Sequence, residues 1–544
     1  MKTGHVDTFC ADNSPPAELL PVTDWTGVPE LAYPDEMNCA SELLHSMIES
    51  GNGDRTVFRY PGGAWTYKDL FDTSGQIANV LVDELGLVSG NRVLLRGPNN
   101  PMLAACWFAV LRAGGVVVCT MPLLREREIR YLADKAEIKL ALTDTRFSEE
   151  CEGGFARHSE GTEREDYRVV HFNSDAHHSL EPMMRSKSTA FSDCRLRADD
   201  TAIIAFTSGT TGEGKGTMHS HRDIMAITDC FPRYVLKPSA DDLFCGSPPL
   251  AFTYALGGLL LFPMRFGAST LLLENATPPH LLDAIEEYRP TVCFTAPTAY
   301  RAMHSMLEGR DVSSLRKCVS AGETLPKPVF DAWHDATGVK IIDGIGATEM
   351  LHIFISAEGD DIRPGATGKV VPGYQARVVS DDGVEVARGD VGKLAVRGPT
   401  GCRYLDNLPQ QRKYVQNGWN LTGDSYKQDQ DGYFWYQARS DDMIITGGYN
   451  IAGPEVENVL IEHKAVKECA VIGEPDESRG HVVKAVIVLN KGFSGDTVLV
   501  KEIQDFVKAR IAPYKYPRII EFADALPRTS TGKLQRYKLR ESER

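Results

Sequence analysis

Through the first 350 positions, short dense apolar runs alternate with longer apolar or amphipathic stretches. Asn91-Arg-Val-Leu-Leu, Val116–Cys119 and Leu140–Thr143 read as buried strands. Met102–Arg112 reads as an apolar helix that Gly114-Gly115 ends, and Ile129–Ala136 as a second helix. Strands alternating with helices predict βαβ units around a largely parallel sheet. Residues 148–199 break the rhythm: they are rich in Glu, Ser, His and Arg, and are predicted to form a long surface insertion or mobile loop. The spacing of His171, His177 and His178 within it does not suit a metal site. The α/β rhythm resumes at Thr201 and runs to about Ile353.

Residues 364–436 change character. Gly and Pro become frequent, and Gln375–Val379, Lys393–Val396 and Gly432–Tyr436 alternate as antiparallel strands do. Beyond Arg439-Ser-Asp-Asp442 a small separate unit is predicted. It has a helix at Pro454–Glu462, strands at Glu468–Ile472 and Val482–Leu489, and a helix at Val498–Ala509. The expected organisation is thus α/β: a large N-terminal domain, 1–438, with a β subdomain at about 364–436, then a small α+β domain, 439–544.

Composition adds exclusions. At 544 residues the chain holds roughly three to four folding units. Apolar residues are 42% and charged residues 24%, which excludes collagen and global disorder. A net charge of −15 argues against nucleic acid as the main partner. The twelve cysteines contain no CxxC pair and read as reduced thiols of a cytoplasmic protein. The N-terminus lacks the apolar core of a signal peptide, and no stretch is long enough to insert into a membrane.

The chemistry begins after Thr201–Phe206, where a strand candidate runs into Thr207-Ser-Gly-Thr-Thr-Gly-Glu-Gly-Lys-Gly216. Glycines let backbone N–H groups turn toward an anion, the hydroxyls of Thr207, Ser208, Thr210 and Thr211 add donors, and Lys215 adds charge. The spacing imitates a Walker A loop. Gly216, however, stands where that loop needs a Ser or Thr for magnesium, which disfavours a P-loop NTPase.

This stretch resembles the phosphate loop of the acyl-adenylate-forming enzymes, which include acyl-CoA synthetases, peptide-synthetase adenylation domains and luciferases. Further motifs of that superfamily follow in order. Ser320-Ala-Gly-Glu-Thr-Leu325 resembles its adenine-side turn, with Gly322 and Glu323. Asp343-Gly-Ile-Gly-Ala-Thr-Glu349 resembles its aromatic-Gly-x-Thr-Glu pattern, with Ile345 in place of the aromatic. The resemblance implies ATP contacts from Thr207, Ser208, Gly209, Thr210, Thr211, Gly212 and Lys215. It implies further contacts from Gly322, Glu323, Asp343, Gly344, Ile345, Gly346 and Thr348. Glu349, with Thr207, would hold Mg2+. Thr-Gly-Asp424 resembles the ribose motif, so Asp424 would take the ribose hydroxyls and Arg439 would reach ribose or phosphate. Asp441 would be the hinge of a mobile small domain, Gly447-Gly448-Tyr449 would face the site during thioester formation, and Lys533 would serve adenylation. The catalytic set implied is Lys533, Glu349, Thr348 and Thr207.

Ser247–Gly258 sits where the superfamily places its acid-binding loop. Phe252 and Tyr254 offer flat surface, Ala251, Ala255 and Gly257 leave space, and Gly346 and His352 would complete the pocket. If the turn after Glu349 is helical, His352 faces the same way as Glu349. No acidic residue lies between Ser247 and Arg265, so an amino acid's ammonium would have no partner. The wording of these segments is similar to benzoate and 2-aminobenzoate CoA ligases. The expected substrates are an aromatic carboxylic acid, ATP and coenzyme A. Medium-chain fatty acids, or loading of a separate carrier protein, remain alternatives, and a homodimer is left open. A luciferase-like oxygenase shares the adenylation motifs, whereas a non-catalytic adenylate binder would be expected to have lost Lys533 or Glu349.

Overall fold

The computed structural model describes residues 3–158, 160–207, 214–322, 325, 327–439, 443–527 and 536–541. Two sheets carry the large N-terminal domain. The first has six strands in the order Arg168–Phe172, Leu140–Asp144, Arg92–Arg96, Val116–Thr120, Thr201–Thr207 and Lys215–Ser220. All pairs are parallel except the last, an antiparallel hairpin. Arg92–Arg96 is buried along its whole length, as a strand with helices on both faces must be.

The second sheet has nine strands. Its parallel centre includes Leu243–Gly246, Val292–Thr295, Lys317–Ser320 and Ile341–Gly346. Helices Tyr67–Asp83, Pro101–Arg112 and His221–Asp229 contribute to one apolar core shared with both sheets. The ends of these strands bring Thr207, Thr295, Ser320 and Gly346 to the connections that follow them, where open α/β sheets place their ligands.

Residues 148–199 are not a plain surface loop. Helix Ser148–Phe155 buries Cys151 and Phe155, strand Arg168–Phe172 extends the first sheet, and helix Leu180–Met184 buries both its end residues. Few apolar residues are needed here, because each lies at helix or strand spacing under a polar outer face. His171 contacts Glu152 at 2.8 Å, and His177 and His178 pack edge to face.

The antiparallel subdomain forms as its alternation suggests. Gln375–Val379, Val391–Arg397 and Trp419–Gln428 lie side by side, and Phe434–Arg439 pairs with the last of them. The small C-terminal domain builds its own sheet from Met443–Thr446, Tyr449–Ala452, Val466–Asp476, Gly480–Leu489 and Ile519–Phe522. Helices Gly453–Ile461 and Thr497–Lys508 cover it, and its core, with Ile444, Val456, Ile487 and Ile503, is separate from that of the large domain. All twelve cysteines are free. Among the described residues no helix is long and apolar enough to cross a membrane.

Candidate active site

Thr207 ends its strand directly opposite Lys215, so the two flank the glycine-rich connection. Ser208, Gly209, Thr210, Thr211 and Gly212 lie outside the described residues, as do Glu323, Asp441 and Lys533. The segment Arg403–Leu405 runs along the Lys215–Ser220 strand: Met218 N–H donates to Arg403 O and Leu405 N–H to Gly216 O, both at 2.8 Å. Arg403 is tied further by a 2.8 Å bond to Asp223, the acid that closes the capping box of helix His221–Asp229.

That pairing buries Tyr404 and aims its hydroxyl at Glu349, to which it donates at 2.6 Å. Burial, and then the Glu349 charge, hold the Tyr404 phenol far above its usual range, so it stays a donor. Lys215 Nζ lies 6.0 Å from the centre of the Tyr404 ring. Thr348 is fixed from below: His219 Nε2 donates to its carbonyl at 2.7 Å. Burial pushes His219 down to about 4, so the ring is neutral. Thr207, Lys215, Thr348 and Glu349 are therefore gathered around one turn, Thr348–Met350, beside the phosphate-loop hairpin. A carboxylate and a hydroxyl are hard oxygen donors, and among the described residues only Oε1 of Glu349 is engaged. The pair thus fits a magnesium ion.

Neither Tyr404 nor His219 was among the residues expected from the sequence. Both act on residues more than 50 positions away, and no local spacing marks them.

Toward the nucleoside side, Ser320 and Asp343 are neighbours on adjacent strands, and Gly322 follows at φ 88°. Gly344, Ile345 and Gly346 complete the Asp343 strand, with Ile345 half-buried. Burial raises the Asp343 carboxyl to about 7, and its Oδ1 is buried without a partner among the described residues. Asp424 lies cross-strand from Arg439. Burial, and then the charges of Asp424 and Asp343, raise the phenol of Tyr426, so both acids lie close to it.

In the acid loop, Tyr254 lies in a helical stretch that begins at Thr253 and whose Leu256–Leu261 portion is a π-helix, a form that recurs at functional sites. Its hydroxyl is spent on the backbone, donating to Val319 O at 3.1 Å and lying 3.3 Å from Thr295 O. The turn after Glu349 is not helical far enough to align His352 with it. One 3₁₀ turn ends at Leu351, whose φ of 71° is left-handed, and the chain reverses. His352 is thereby sent into an apolar cage, 4.5 Å from the Phe262 ring, 5.7 Å from Tyr254 and 5.9 Å from Phe231. Its Nε2 contacts Tyr254 O at 3.1 Å, and Nδ1 is buried without a partner among the described residues. Burial pushes it down to about 3, so it is a neutral ring whose free nitrogen is an acceptor. Gly257 makes room for it: a Cβ there would sit 2.4 Å from His352 Cδ2. A narrow apolar cleft lined by Trp107, Val117, Cys119, Ala205, Ala251 and Leu256 borders this loop.

The small domain reaches the same place. Gly447 and Gly448, both at positive φ (53° and 82°), form the two-residue turn of the hairpin Met443–Ala452. The hairpin sets Tyr449 edge-on to Phe252 at 6.2 Å, so a residue of each domain meets at the acid loop.

Comparison with known proteins shows the family. The model of the AMP-binding enzyme family matches residues 48–403, and that of the AMP-binding enzyme C-terminal domain matches 455–533. A benzoate–CoA ligase of Thauera aromatica is 34% identical over 530 residues, 96% of this chain and 99% of that protein. A long-chain-fatty-acid–CoA ligase of Bacillus subtilis (strain 168) is 31% identical, covering 94% and 96%. The crystal structure of an anthranilate CoA ligase in complex with anthranoyl-AMP matches with a TM-score of 0.72 and 33% identity, covering 95% and 99%.

Proposed function

This chain belongs to the AMP-binding enzymes, in their acyl-CoA synthetase branch, and from that premise we propose that its acid is a flat aromatic carboxylate of the benzoate or 2-aminobenzoate type. The observation that carries the reading is the acid loop. Its neighbourhood, Phe252, Tyr254, Phe262 and a neutral His352, offers aromatic surface and, among the described residues, one unpaired acceptor, His352 Nδ1. A rigid ring loses few rotors on entering such a slot. An ortho amino group is uncharged as an aniline and would give Nδ1 the donor it lacks. The relatives named for benzoate and anthranilate support the same reading.

The reaction then has two steps. The acid's carboxylate oxygen attacks the α-phosphorus of ATP, the bond to the β-phosphate oxygen breaks, and pyrophosphate leaves acyl-AMP behind. Thr207, Lys215 and Thr348 surround the phosphates and meet the charge that builds on them. Glu349 and Thr207 would hold Mg2+, which when bound neutralises phosphate charge. Asp343 Oδ1 would accept from the adenine amino group, and Asp424 from the ribose. Lys533 would contact carboxylate and α-phosphate in this step only. The small domain then turns about Asp441, and the Gly447-Gly448-Tyr449 hairpin faces the acid. The thiol of coenzyme A attacks the acyl carbon and AMP leaves, within a site kept from water. We assign the activity to the cytoplasm, where twelve free cysteines stay reduced.

The test is an ATP- and CoA-dependent AMP-release screen across benzoate, its amino and hydroxy derivatives, and fatty acids from butanoate to palmitate. An aromatic acid should give the highest kcat/KM. Faster turnover of straight-chain acids would overturn the aromatic assignment.

A further inference from the structure

The two domains are joined by a buried ionic cluster that the reaction itself does not use. Lys515 sits in the turn Pro513–Lys515, and its Nζ lies 2.6 Å from Glu128 Oε1 and 2.5 Å from Glu455 Oε1. The three side chains are only 7%, 11% and 12% exposed. Glu128 belongs to helix Glu126–Lys135 of the large domain, whereas Glu455 shares the small domain with Lys515. The second oxygen of Glu128 accepts from two backbone N–H groups: Arg125, at the start of its own helix, at 2.9 Å, and Ala512 of the small domain at 3.0 Å. Arg127 on the same helix pairs with Glu462 of the small domain.

The cluster is mechanically continuous with the acid loop. Tyr514, next to Lys515, stacks on Tyr449 with ring centres 4.2 Å apart and planes at 28°, and Tyr449 meets Phe252. A buried ion pair is a poor source of stability, because desolvation offsets most of its attraction; what it can supply is one arrangement in preference to others. Only its Glu128 side crosses between domains. Turning the small domain away would therefore separate Glu128 from Lys515 while leaving Lys515 with Glu455.

We propose that Glu128 and Lys515 form a positioning clasp that holds the small domain with Tyr449 over the acid loop, and so serves thioester formation while leaving adenylation untouched. The inference rests on the two-step reading above, in which that hairpin faces the acid during transfer to coenzyme A.

The test compares the full-length protein with Glu128→Gln, which keeps the shape and the acceptor for the backbone N–H groups but removes the charge. Lys515→Met is the second variant. Both half-reactions are run with whichever acid the wild type turns over fastest, so the outcome does not depend on that acid being aromatic. Acid-dependent exchange of labelled pyrophosphate into ATP should stay within about twofold of wild type. Single-turnover transfer from supplied acyl-AMP to coenzyme A should fall by about tenfold, the loss expected for a hydrogen bond between charged partners. A readout free of turnover accompanies it: hydrogen exchange of the peptide spanning 510–518 should quicken while Tm is kept. Equal loss in both half-reactions, loss of exchange alone, or unchanged transfer each overturns the clasp. A wild type that exchanges pyrophosphate but never passes its acyl group to coenzyme A would instead overturn the two-step reading and the clasp with it.

Discussion

Tyr404→Phe removes a single oxygen and tests how Glu349 is held. The phenol donates at 2.6 Å to one carboxylate oxygen and is itself buried by strand-like pairing on both sides, so Phe fits the same space. A hydrogen bond to a charged partner contributes about 1.5–3 kcal/mol. At about 1.4 kcal/mol per factor of ten, losing it should slow the first half-reaction by roughly 10- to 100-fold. Acid-dependent pyrophosphate exchange measures that step, and titrating Mg2+ separates causes. If Tyr404 orients Glu349 for the ion, the variant needs more Mg2+ to reach half its maximal rate. Calorimetric titration of Mg-ATP should weaken in parallel. Transfer from supplied acyl-AMP to coenzyme A, which needs no pyrophosphate-side charge, should hold near the wild-type rate. An unchanged Mg2+ requirement, with both half-reactions slowed alike, would show that Tyr404 supports only the fold.

Three further outcomes are expected. Lys533→Ala should lower acyl-AMP formation by orders of magnitude while transfer from supplied acyl-AMP survives; equal loss of both refutes a role confined to adenylation. His352→Phe keeps the ring's bulk but loses the Nδ1 acceptor, so kcat/KM for 2-aminobenzoate should fall about fivefold more than for benzoate, one neutral hydrogen bond of about 1 kcal/mol; equal losses remove His352 as the ring's partner. Burial lowers His219 to about 4, and His221 and His352 to about 3, against 6.5 for a free ring. The unfolded chain therefore takes up protons that the folded one refuses. Stability should be fully present above about pH 6.5 and be lost below it, at about 1.4 kcal/mol per pH unit for each histidine. Urea unfolding at pH 7, 6 and 5 measures this, and an equal midpoint throughout refutes it.

The chain itself announces the parts of this fold that depend on neighbours in sequence. Arg92–Arg96 and Val116–Thr120 are legible because a strand covered on both faces carries a continuous apolar run, here Val93–Leu95 and Val116–Cys119. Residues 148–199 misled because their apolar contacts are few, and Cys151, Phe155, Val170 and Phe172 earn burial only against the first sheet. His352 misled because its direction depends on one unusual φ at Leu351, a strain of about 1–3 kcal/mol that only the surrounding packing can hold. Tyr404 and Glu349 are 55 residues apart, and Lys515 and Glu128 are 387 apart. Partners at such distances are chosen by topology, so no local pattern records them.

The same distances explain how the site can be both rigid and mobile. Glu349 and Thr348 are held by Tyr404 and His219, all within the large domain, and those contacts survive any movement of the small one. Tyr449 and Tyr514 pack against a core of their own, so turning the small domain opens no hydrophobic core. Among the described residues, the contacts the turn breaks include the Glu128 contacts of Lys515 and Ala512, the Arg127–Glu462 pair, and the edge of Phe252. Charged groups that return to water on separation recover most of what they lose, so the barrier to turning is set by geometry more than by net binding. A clasp of ions, in place of an apolar seam, therefore lets the small domain stay specific in its seat and still leave it once per turnover.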